Sequence, residues 1–233
     1  MGGFFVLSIA LTLLPAAGVE TAPPAESPLP ANLPRGWYAR IETSAGTIVA
    51  RLLPEQAPQA VAHFAAFAEG RLDWVDPLTG VTKKENYYDG MKIHKVVAGQ
   101  RFEAGDPTET GRGAPPIWVP LEARGPVKFD GPFRLGMTRA PLGRISGMLF
   151  FVTAAGVSFL NRDHPCFGEV VLGRDVVSLI CGVKTGPTGK PLDPVTIERI
   201  RIHGVGDPTP LPEPVRYTPK RHTFGLRETP ATP

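Results

Sequence analysis

The sequence predicts a mainly β domain, either an antiparallel β-barrel or a β-sandwich, capped by two helices. Seven or eight short segments have the apolar alternation of strands, and only two segments have helical periodicity. No β-α-β order repeats along the chain. A doubly wound α/β fold needs that repeat and is therefore disfavoured.

The domain begins with a β-hairpin signal. Apolar and polar residues alternate from Ala39 to Thr43, Ser44–Gly46 supplies turn residues, and the alternation returns from Ile48 to Leu52. A helix is expected next, within residues 54–70. Gly70 is suited to its C-terminal cap. Four apolar residues have the spacing i, i+3, i+4 and i+7 that one buried helical face requires: Val61, Phe64, Ala65 and Ala68.

The remaining elements are short. Residues 71–86 are polar, contain Pro77 and Gly80, and are expected to form a surface loop. Further strands are predicted at 91–97, 101–104, 133–138, 149–153 and 166–171. A second helix is predicted at 174–181, with one apolar side formed by Val176, Leu179 and Ile180. In the last strand the alternation of Val195 and Ile197 slips to Ile200 and Ile202, which predicts a bulge.

The N-terminal segment has the features of an export signal. The apolar run Phe4–Leu14 has the length of a signal-peptide core, and small residues follow at 16–18, although no Lys or Arg precedes the run. We therefore expect residues 1–18 to be a signal peptide and the protein to be exported, periplasmic or secreted. A wrongly assigned start and an uncleaved anchor that tethers the protein to a membrane are the alternatives.

Proline-rich segments flank the predicted domain. Residues 19–35 contain five prolines and are expected to be an extended linker. Residues 36–205 form the domain, and residues 206–233, with seven prolines, are expected to be a disordered or loosely docked tail. No stable membrane insertion is expected after removal of the leader.

Composition and motifs exclude several functions. The 233 residues have a net charge of +3 without a Lys/Arg-rich run, so nucleic-acid binding is not expected. Neither a G-x-S-x-G elbow, a phosphate-binding loop nor an H-E-x-x-H zinc motif is present. Cys166 and Cys181 have no ligand spacing, and we expect buried thiols rather than a disulfide or a metal site.

The order of motifs resembles the cyclophilins, a family of β-barrel peptidyl-prolyl isomerases. The specific tracts are "YYDG" (87–90), "AGDPTETGRG" (104–113) and "HPCFGEVV" (164–171), with the hairpin and first helix before them and "MLFFVT" (148–153) between. The resemblance implies a closed eight-stranded antiparallel β-barrel capped by two α-helices, with a proline-binding groove on its outer face. It also implies rotation about X-Pro bonds of polypeptide clients, without cofactor or metal. We expect a monomer.

Several groove positions of the family can be matched to this chain. Phe151 matches the aromatic floor of the proline pocket, Leu160 and His164 match two further walls, and Phe159 stands where many members have Trp. His94 matches a structural histidine of the family. These matches imply that the four groove residues bind the substrate.

Other positions depart from the family. Lys95 replaces the usual catalytic Arg, and we expect it to be the hydrogen-bond donor to the prolyl nitrogen. Lys is a weaker substitute, because it lacks the planar fork of five donors. Gln100, Arg101 and Glu103 replace an aromatic, Met and Gln, while Leu149 replaces a substrate-contacting amide.

Arg101 and Glu103 face the same side of a strand, so Arg101 could act as a compensating donor that Glu103 orients. A solvated ion pair is the alternative. The sequence therefore predicts a peptidyl-prolyl isomerase that assists protein folding with reduced activity. A non-catalytic proline-binding module, and a scaffold whose proline-rich tail makes the contacts, are the rival hypotheses.

Overall fold

The computed structural model describes residues 28–123, 125–139 and 143–215. The predicted signal peptide, residues 19–27 of the predicted linker and residues 216–233 of the predicted tail lie outside these ranges. The chain divides into two compact units, residues 1–33 and 34–233. Within the described residues every strand and helix belongs to the second unit, and no helix is long and apolar enough to cross a membrane.

In its described part, the second unit contains twelve strands and two α-helices. The strands are β1 (Gly36–Thr43), β2 (Gly46–Leu52), β3 (Trp74–Val75), β4 (Thr82–Lys83), β5 (Met91–Lys92), β6 (Lys95–Val97), β7 (Arg101–Ala104), β8 (Trp118–Val119), β9 (Arg134–Arg139), β10 (Ile145–Thr153), β11 (Cys166–Leu172) and β12 (Thr196–Val205). The helices are α1 (Pro58–Ala68) and α2 (Arg174–Cys181), and a 3₁₀ helix spans Ser158–Leu160.

Ten strands form one curled antiparallel sheet in the order β5-β12-β1-β2-β11-β9-β10-β7-β6, with β8 added beside β10. The mainly β class with two helices is thus confirmed, but a closed eight-stranded barrel is not what the pairing shows. Within the described residues no ladder joins β5 to β6. The reason lies at Ile93 and His94, whose N–H groups donate to different partners, the carbonyls of Val195 and Glu103. This change of partner splits the predicted strand 91–97 in two.

Three further sequence predictions can be compared with the structure. The bulge in the last strand is confirmed, because Glu42 pairs with Arg199 and Thr43 with Ile197, so Glu198 is the extra residue. The predicted loop 71–86 instead contains the hairpin of β3 and β4.

The predicted apolar face of α2 is wrong by one position. The helix buries Val177, Ile180 and Cys181, whereas Leu179 is exposed. An eight-residue helix offers two overlapping apolar sets, and periodicity alone does not choose between them.

Helix α1 fills the concave side of the sheet and packs on β10 and β12. The predicted apolar face is buried, as are His63, Phe67 and the alanines on the other side, so the helix is covered all round. The ring of Phe64 lies 5.1–5.3 Å from those of Tyr88, Phe150 and Phe167. A carboxylate from a distant loop, Glu122, accepts the backbone N–H groups at the start of the helix, which has no side-chain cap of its own.

The segment that follows β12 packs on the domain. Within the predicted tail, residues 208–215 contact β1 and the start of α1 through backbone and side-chain hydrogen bonds. Leu211 packs against the main hydrophobic core. This part of the predicted tail is therefore docked on the domain by one partly buried apolar side chain and three exposed hydrogen bonds. The expected loose docking stays a prediction.

Candidate functional site

Four residues from neighbouring strands lie in one row on the outer face of the sheet. Lys95 of β6 is paired with Glu103 of β7, Glu103 with Phe151 of β10, and Phe151 with Gly136 of β9. Directly opposed residues of an antiparallel pair project to the same side. The residues that alternate with them belong to the main core: Val96, Phe102 and Phe150. The row is therefore a surface feature that the core holds rigidly from behind.

Glu103 holds two cations in this row. Both Nε and Nη2 of Arg101 lie 2.9 Å from Oε1 of Glu103, and Nζ of Lys95 lies 3.6 Å from the same oxygen. The side chains of Glu103 and Arg101 are only 9% and 16% exposed, whereas that of Lys95 is 42% exposed. The guanidinium is thus fixed by two charge-assisted bonds in a partly dry environment, while the ammonium is held more loosely.

Phe151 forms the base of a small apolar cluster beside these charges. Its ring centre lies 5.2 Å from that of Phe129, 5.3 Å from the His164 ring and 5.9 Å from the guanidinium carbon of Arg101. Only 1% of Phe151 is exposed. Because Arg101 lies over the ring, a proline side chain can reach it only if the guanidinium shifts.

Gly136 makes room for the two aromatic rings. A Cβ at this position would lie 2.3 Å from Cζ of Phe151 and 2.6 Å from Cζ of Phe129, closer than side chains tolerate. The missing side chain therefore allows both rings to pack directly against the strand.

Gly136→Ala is expected to lower the free energy of unfolding by about 1–3 kcal/mol, because the added methyl must displace one of the rings. Thermal unfolding of the full chain measures the loss. Gly186→Ala is the matched control, since its Cβ would meet only ordinary contacts at 3.9 Å. Equal melting temperatures for Gly136→Ala and the parent would contradict this packing account.

The 3₁₀ helix and the loop after it supply the other wall of the cluster. Leu160 is buried against Phe151 and Phe129. The amide of Asn161 ties the loop down, because its oxygen accepts the N–H of Phe129. Phe159, in contrast, is 65% exposed and presents its ring at the surface. Phe159 is therefore free to contact a bound ligand, but it is not part of the packed cluster.

His164 stands edge-on to Phe151. Its Nδ1 lies 2.9 Å from the carbonyl oxygen of Met137, and since a carbonyl only accepts, Nδ1 carries the proton and donates it. Burial lowers the pKa of His164 below its ordinary value, and the positive charges of Arg101 and Arg139 act in the same direction. The imidazole is therefore neutral at neutral pH and serves as an apolar wall with one acceptor nitrogen.

His94, next to Lys95, lies on the other side of the sheet. The side chain is buried, burial lowers its pKa, and its Nδ1 has no hydrogen-bond partner among the described residues. A Cβ at Gly111 would lie 3.4 Å from this imidazole, so the loop 106–113 closes over it.

The loop 106–113 is organised by a single carboxylate. Buried Asp106 accepts six hydrogen bonds from four later residues. Four come from the backbone N–H groups of Thr108, Thr110, Arg112 and Gly113, and two come from the hydroxyls of the two threonines. Burial alone would raise the pKa of Asp106, but the bonds from Gly113 and Thr108 outweigh it and hold the pKa below its ordinary value. The loop that covers His94 thus depends on an ionised Asp106.

The structure brings most of the predicted site residues together. Lys95, Arg101 and Glu103 form one charged cluster, and Phe151, Leu160 and His164 form the apolar surface beside it. Sequence reasoning missed Phe129 and Gly136. A glycine inside a strand indicates a close approach of other groups, so Gly136 could have been recognised as a packing position. Phe129 follows a stretch without periodicity and carries no comparable signal.

A metal centre and a reactive thiol are two further kinds of site that can be checked in the described part of the chain. No group of three or more His, Cys, Asp or Glu side chains is arranged there to hold a metal ion. Cys166 and Cys181 are both buried and unpaired, and burial raises the pKa of each thiol to about 12. Neither thiol is therefore ionised at neutral pH.

Comparisons with known proteins agree on one family. Residues 38–202 match the model described as cyclophilin type peptidyl-prolyl cis-trans isomerase/CLD. The chain is 37% identical over 168 residues to peptidyl-prolyl cis-trans isomerase B of Streptomyces anulatus, covering 71% of this chain and 95% of that protein. It is 36% identical over 166 residues to peptidyl-prolyl cis-trans isomerase A of Mycobacterium tuberculosis, covering 70% and 91%.

A solved structure supports the same family. A cyclophilin type peptidyl-prolyl cis-trans isomerase of Cryptosporidium parvum, crystallised in the presence of the dipeptide Ala-Pro, superposes with a TM-score of 0.60 at 26% identity. The superposition covers 72% of this chain and 99% of that one.

Proposed function

Since this chain belongs to the family of cyclophilin-type peptidyl-prolyl cis-trans isomerases, we propose that it accelerates rotation about X-Pro bonds in polypeptide clients. The observation that carries the proposal is the row of Lys95, Glu103 and Phe151, in which a charged cluster lies beside an aromatic floor. The proline ring would rest on Phe151, between Leu160 and His164, while the peptide bond twists.

The chemistry requires a donor rather than a nucleophile. Rotation about the amide has a barrier of about 18–20 kcal/mol and takes tens of seconds without a catalyst. When amide resonance is lost, the prolyl nitrogen gains a lone pair that can accept a hydrogen bond. A donor that meets this lone pair acts mainly in the transition state, which is the condition for rate enhancement.

We assign the donor role to Lys95, and to Glu103 the role of a positioning residue. Glu103 lies 3.6 Å from the Lys95 ammonium and binds Arg101 twice, so it holds both cations near the face of Phe151. Arg101 is the more buried of the two and supplies a second donor. Its position over the ring also means that substrate must displace it.

Two features of this arrangement support our proposal that turnover is reduced. The ammonium of Lys95 is 42% exposed and has one long contact, so it is poorly preorganised. The Arg101 guanidinium covers the floor of the pocket. Loss of one preorganised donor costs about a hundred- to a thousandfold in rate, and a loosely held donor is expected to cost less.

Exchange spectroscopy by NMR on an Ala-Pro peptide tests this function, because it measures binding and cis/trans exchange in one sample. The full chain is expected to accelerate exchange, Lys95→Ala to be slower by about tenfold or more, and Lys95→Arg to be faster than the parent. Lys84→Ala, which removes an exposed lysine that follows β4, is the control.

A second outcome would favour the rival function. If the peptide resonances shift on binding but the exchange rate stays at its uncatalysed value in all variants, the groove binds proline without catalysis. The coverage of Phe151 by Arg101 is the observation that favours this rival. If no peptide binds at all, the domain is a scaffold, and the isomerase proposal is wrong.

Export and a monomeric state remain proposals that rest on the sequence. Clients would be secreted polypeptides that contain X-Pro bonds, and the leader at residues 1–18 would direct the protein to the same compartment. N-terminal sequencing of the protein recovered from its producing cells tests removal of the leader, and an intact Met1 would contradict it.

A further inference from the structure

The chain reverses sharply after β12 and then runs back over the domain. Gly206 and Asp207 have φ values of +68° and +52°, the left-handed conformation that a tight reversal of this hand requires. The segment that follows, residues 208–215, is called here the proline strap. It has proline at every second position: Pro208, Pro210, Pro212 and Pro214.

The sequence of the strap restricts its backbone before it docks. Proline fixes its own φ, and a residue that precedes proline is pushed towards extended conformations. Thr209, Leu211 and Glu213 each precede a proline, so no residue between Pro208 and Pro214 is free of one of these two restrictions. An extended strand of this kind loses little conformational entropy when it binds.

The surface beneath the strap forms hydrogen bonds with backbone carbonyl and N–H groups of its non-proline residues. The indole N–H of Trp37 donates to the carbonyl of Thr209 at 2.7 Å. The side-chain amide of Gln59 makes two contacts, donating to the carbonyl of Glu213 at 3.3 Å and accepting the N–H of Val215 at 2.8 Å. One amide side chain therefore recognises two positions of the strap, as a neighbouring strand would.

Apolar contacts complete the surface. Leu211 packs against the main core, and a Cβ at Gly204 would lie 3.2 Å from Pro208, so the ring rests directly on β12. A cleft of 410 Å³ remains between the strap and the chain from Leu52 to Pro58. We call Trp37, Gln59 and this stretch the strap site. Both prolines and charged side chains line this cleft, among them Pro54, Arg51 and Glu55. An aromatic side chain beside a groove is a feature with which proteins bind proline-rich strands, and Trp37 supplies it here.

We propose that the strap site is a second proline-recognition surface, separate from the groove at Phe151, and that the proline strap is its intrinsic and detachable ligand. The strap site lies on β1 and the start of α1, whereas the groove lies on β6, β7 and β10. When the strap detaches, the same surface binds an added strand with the strap sequence. The tethered strap acts at an effective concentration of about the millimolar range, so an added peptide competes only after the strap is weakened.

The first test adds a synthetic peptide with the sequence of residues 206–215 to the full chain and follows the Trp37 indole signal by NMR. The parent is expected to bind it at least tenfold more weakly than Leu211→Asp, which removes the apolar anchor of the tethered strap. Adding Gln59→Ala to Leu211→Asp is expected to abolish the gain. If the double variant binds the peptide as tightly as Leu211→Asp does, the peptide occupies the groove at Phe151 and the proposal is wrong. The proposal is also wrong if a folded Leu211→Asp protein does not bind the peptide.

A second test needs no added peptide and weakens the strap only at its far end. Gln59→Ala is expected to speed hydrogen exchange of the Trp37 indole N–H about tenfold, because that proton is protected by Thr209 at the other end of the strap. Exchange of the β1 amides should not change. If the indole proton is unaffected, the strap does not detach as a unit and the proposal is wrong.

Discussion

Glu103→Gln is expected to lower kcat/KM for X-Pro isomerisation about a hundredfold, the cost of displacing a catalytic group by about 1 Å. The carboxylate is the common partner of Arg101 and Lys95, and Gln keeps an acceptor oxygen but has no charge to neutralise either cation. The loss is expected mainly in kcat, because Phe151 and the apolar wall that would hold the proline are unchanged. Steady-state kinetics on an Ala-Pro peptide measures it.

The same substitution also leaves the largely buried guanidinium of Arg101 without its counter-charge. The free energy of unfolding is expected to fall by about 3 kcal/mol, as for other broken ion pairs of low exposure. Glu85→Gln, which removes an exposed carboxylate paired with Lys83, is the control for both readouts. A Glu103→Gln protein with parental kcat would show that neither cation needs positioning for catalysis.

Asp106→Ala is expected to cost about 3 kcal/mol of unfolding free energy at neutral pH, because it removes the acceptor of six hydrogen bonds in the loop 106–113. Some of the released donors can be hydrated, which limits the loss. Since Gly111 of this loop lies against His94, beside Lys95, activity is expected to fall as well. Chemical denaturation measures the stability change.

The pH dependence provides a separate check on Asp106. Its pKa is lowered in the folded state, so its contribution is fully present above the unfolded value of about 4 and is lost as pH falls through the folded value. The stability difference between the parent and Asp106→Ala should therefore shrink in acid. Asp193→Ala, which removes an exposed carboxylate far from this loop in sequence, is the control for the loss of a carboxyl group. A constant difference for Asp106→Ala down to pH 2 would contradict an ionised loop anchor.

Strand and helix patterns were predictable where apolar residues recur with the period of a strand or of a helix. The first hairpin, α1 and the bulge in β12 follow from such periodicity. The number of strands did not, because Ile93 and His94 change hydrogen-bond partners without any change in apolar pattern. The two-residue strands β3 and β4 are too short to leave a periodic signal.

The candidate site was predictable in its residues but not in its contacts. The matched motifs brought Lys95, Phe151 and His164 to attention, and the two-residue spacing placed Arg101 and Glu103 on one face. No sequence rule states that Arg101 bends over Phe151 rather than into solvent. In the folded protein the contact with Glu103, whose side chain is 9% exposed, holds the guanidinium there.

The central claim is that two cations held by Glu103 accelerate X-Pro rotation on the face of Phe151. The most direct measurement is a double-mutant cycle of Lys95→Ala and Arg101→Ala, with exchange of an Ala-Pro peptide followed by NMR at equal bound fraction. The account predicts that the parent catalyses exchange, that each single variant retains part of the rate, and that the double variant falls to the uncatalysed rate. Catalysis that survives in the double variant would contradict it.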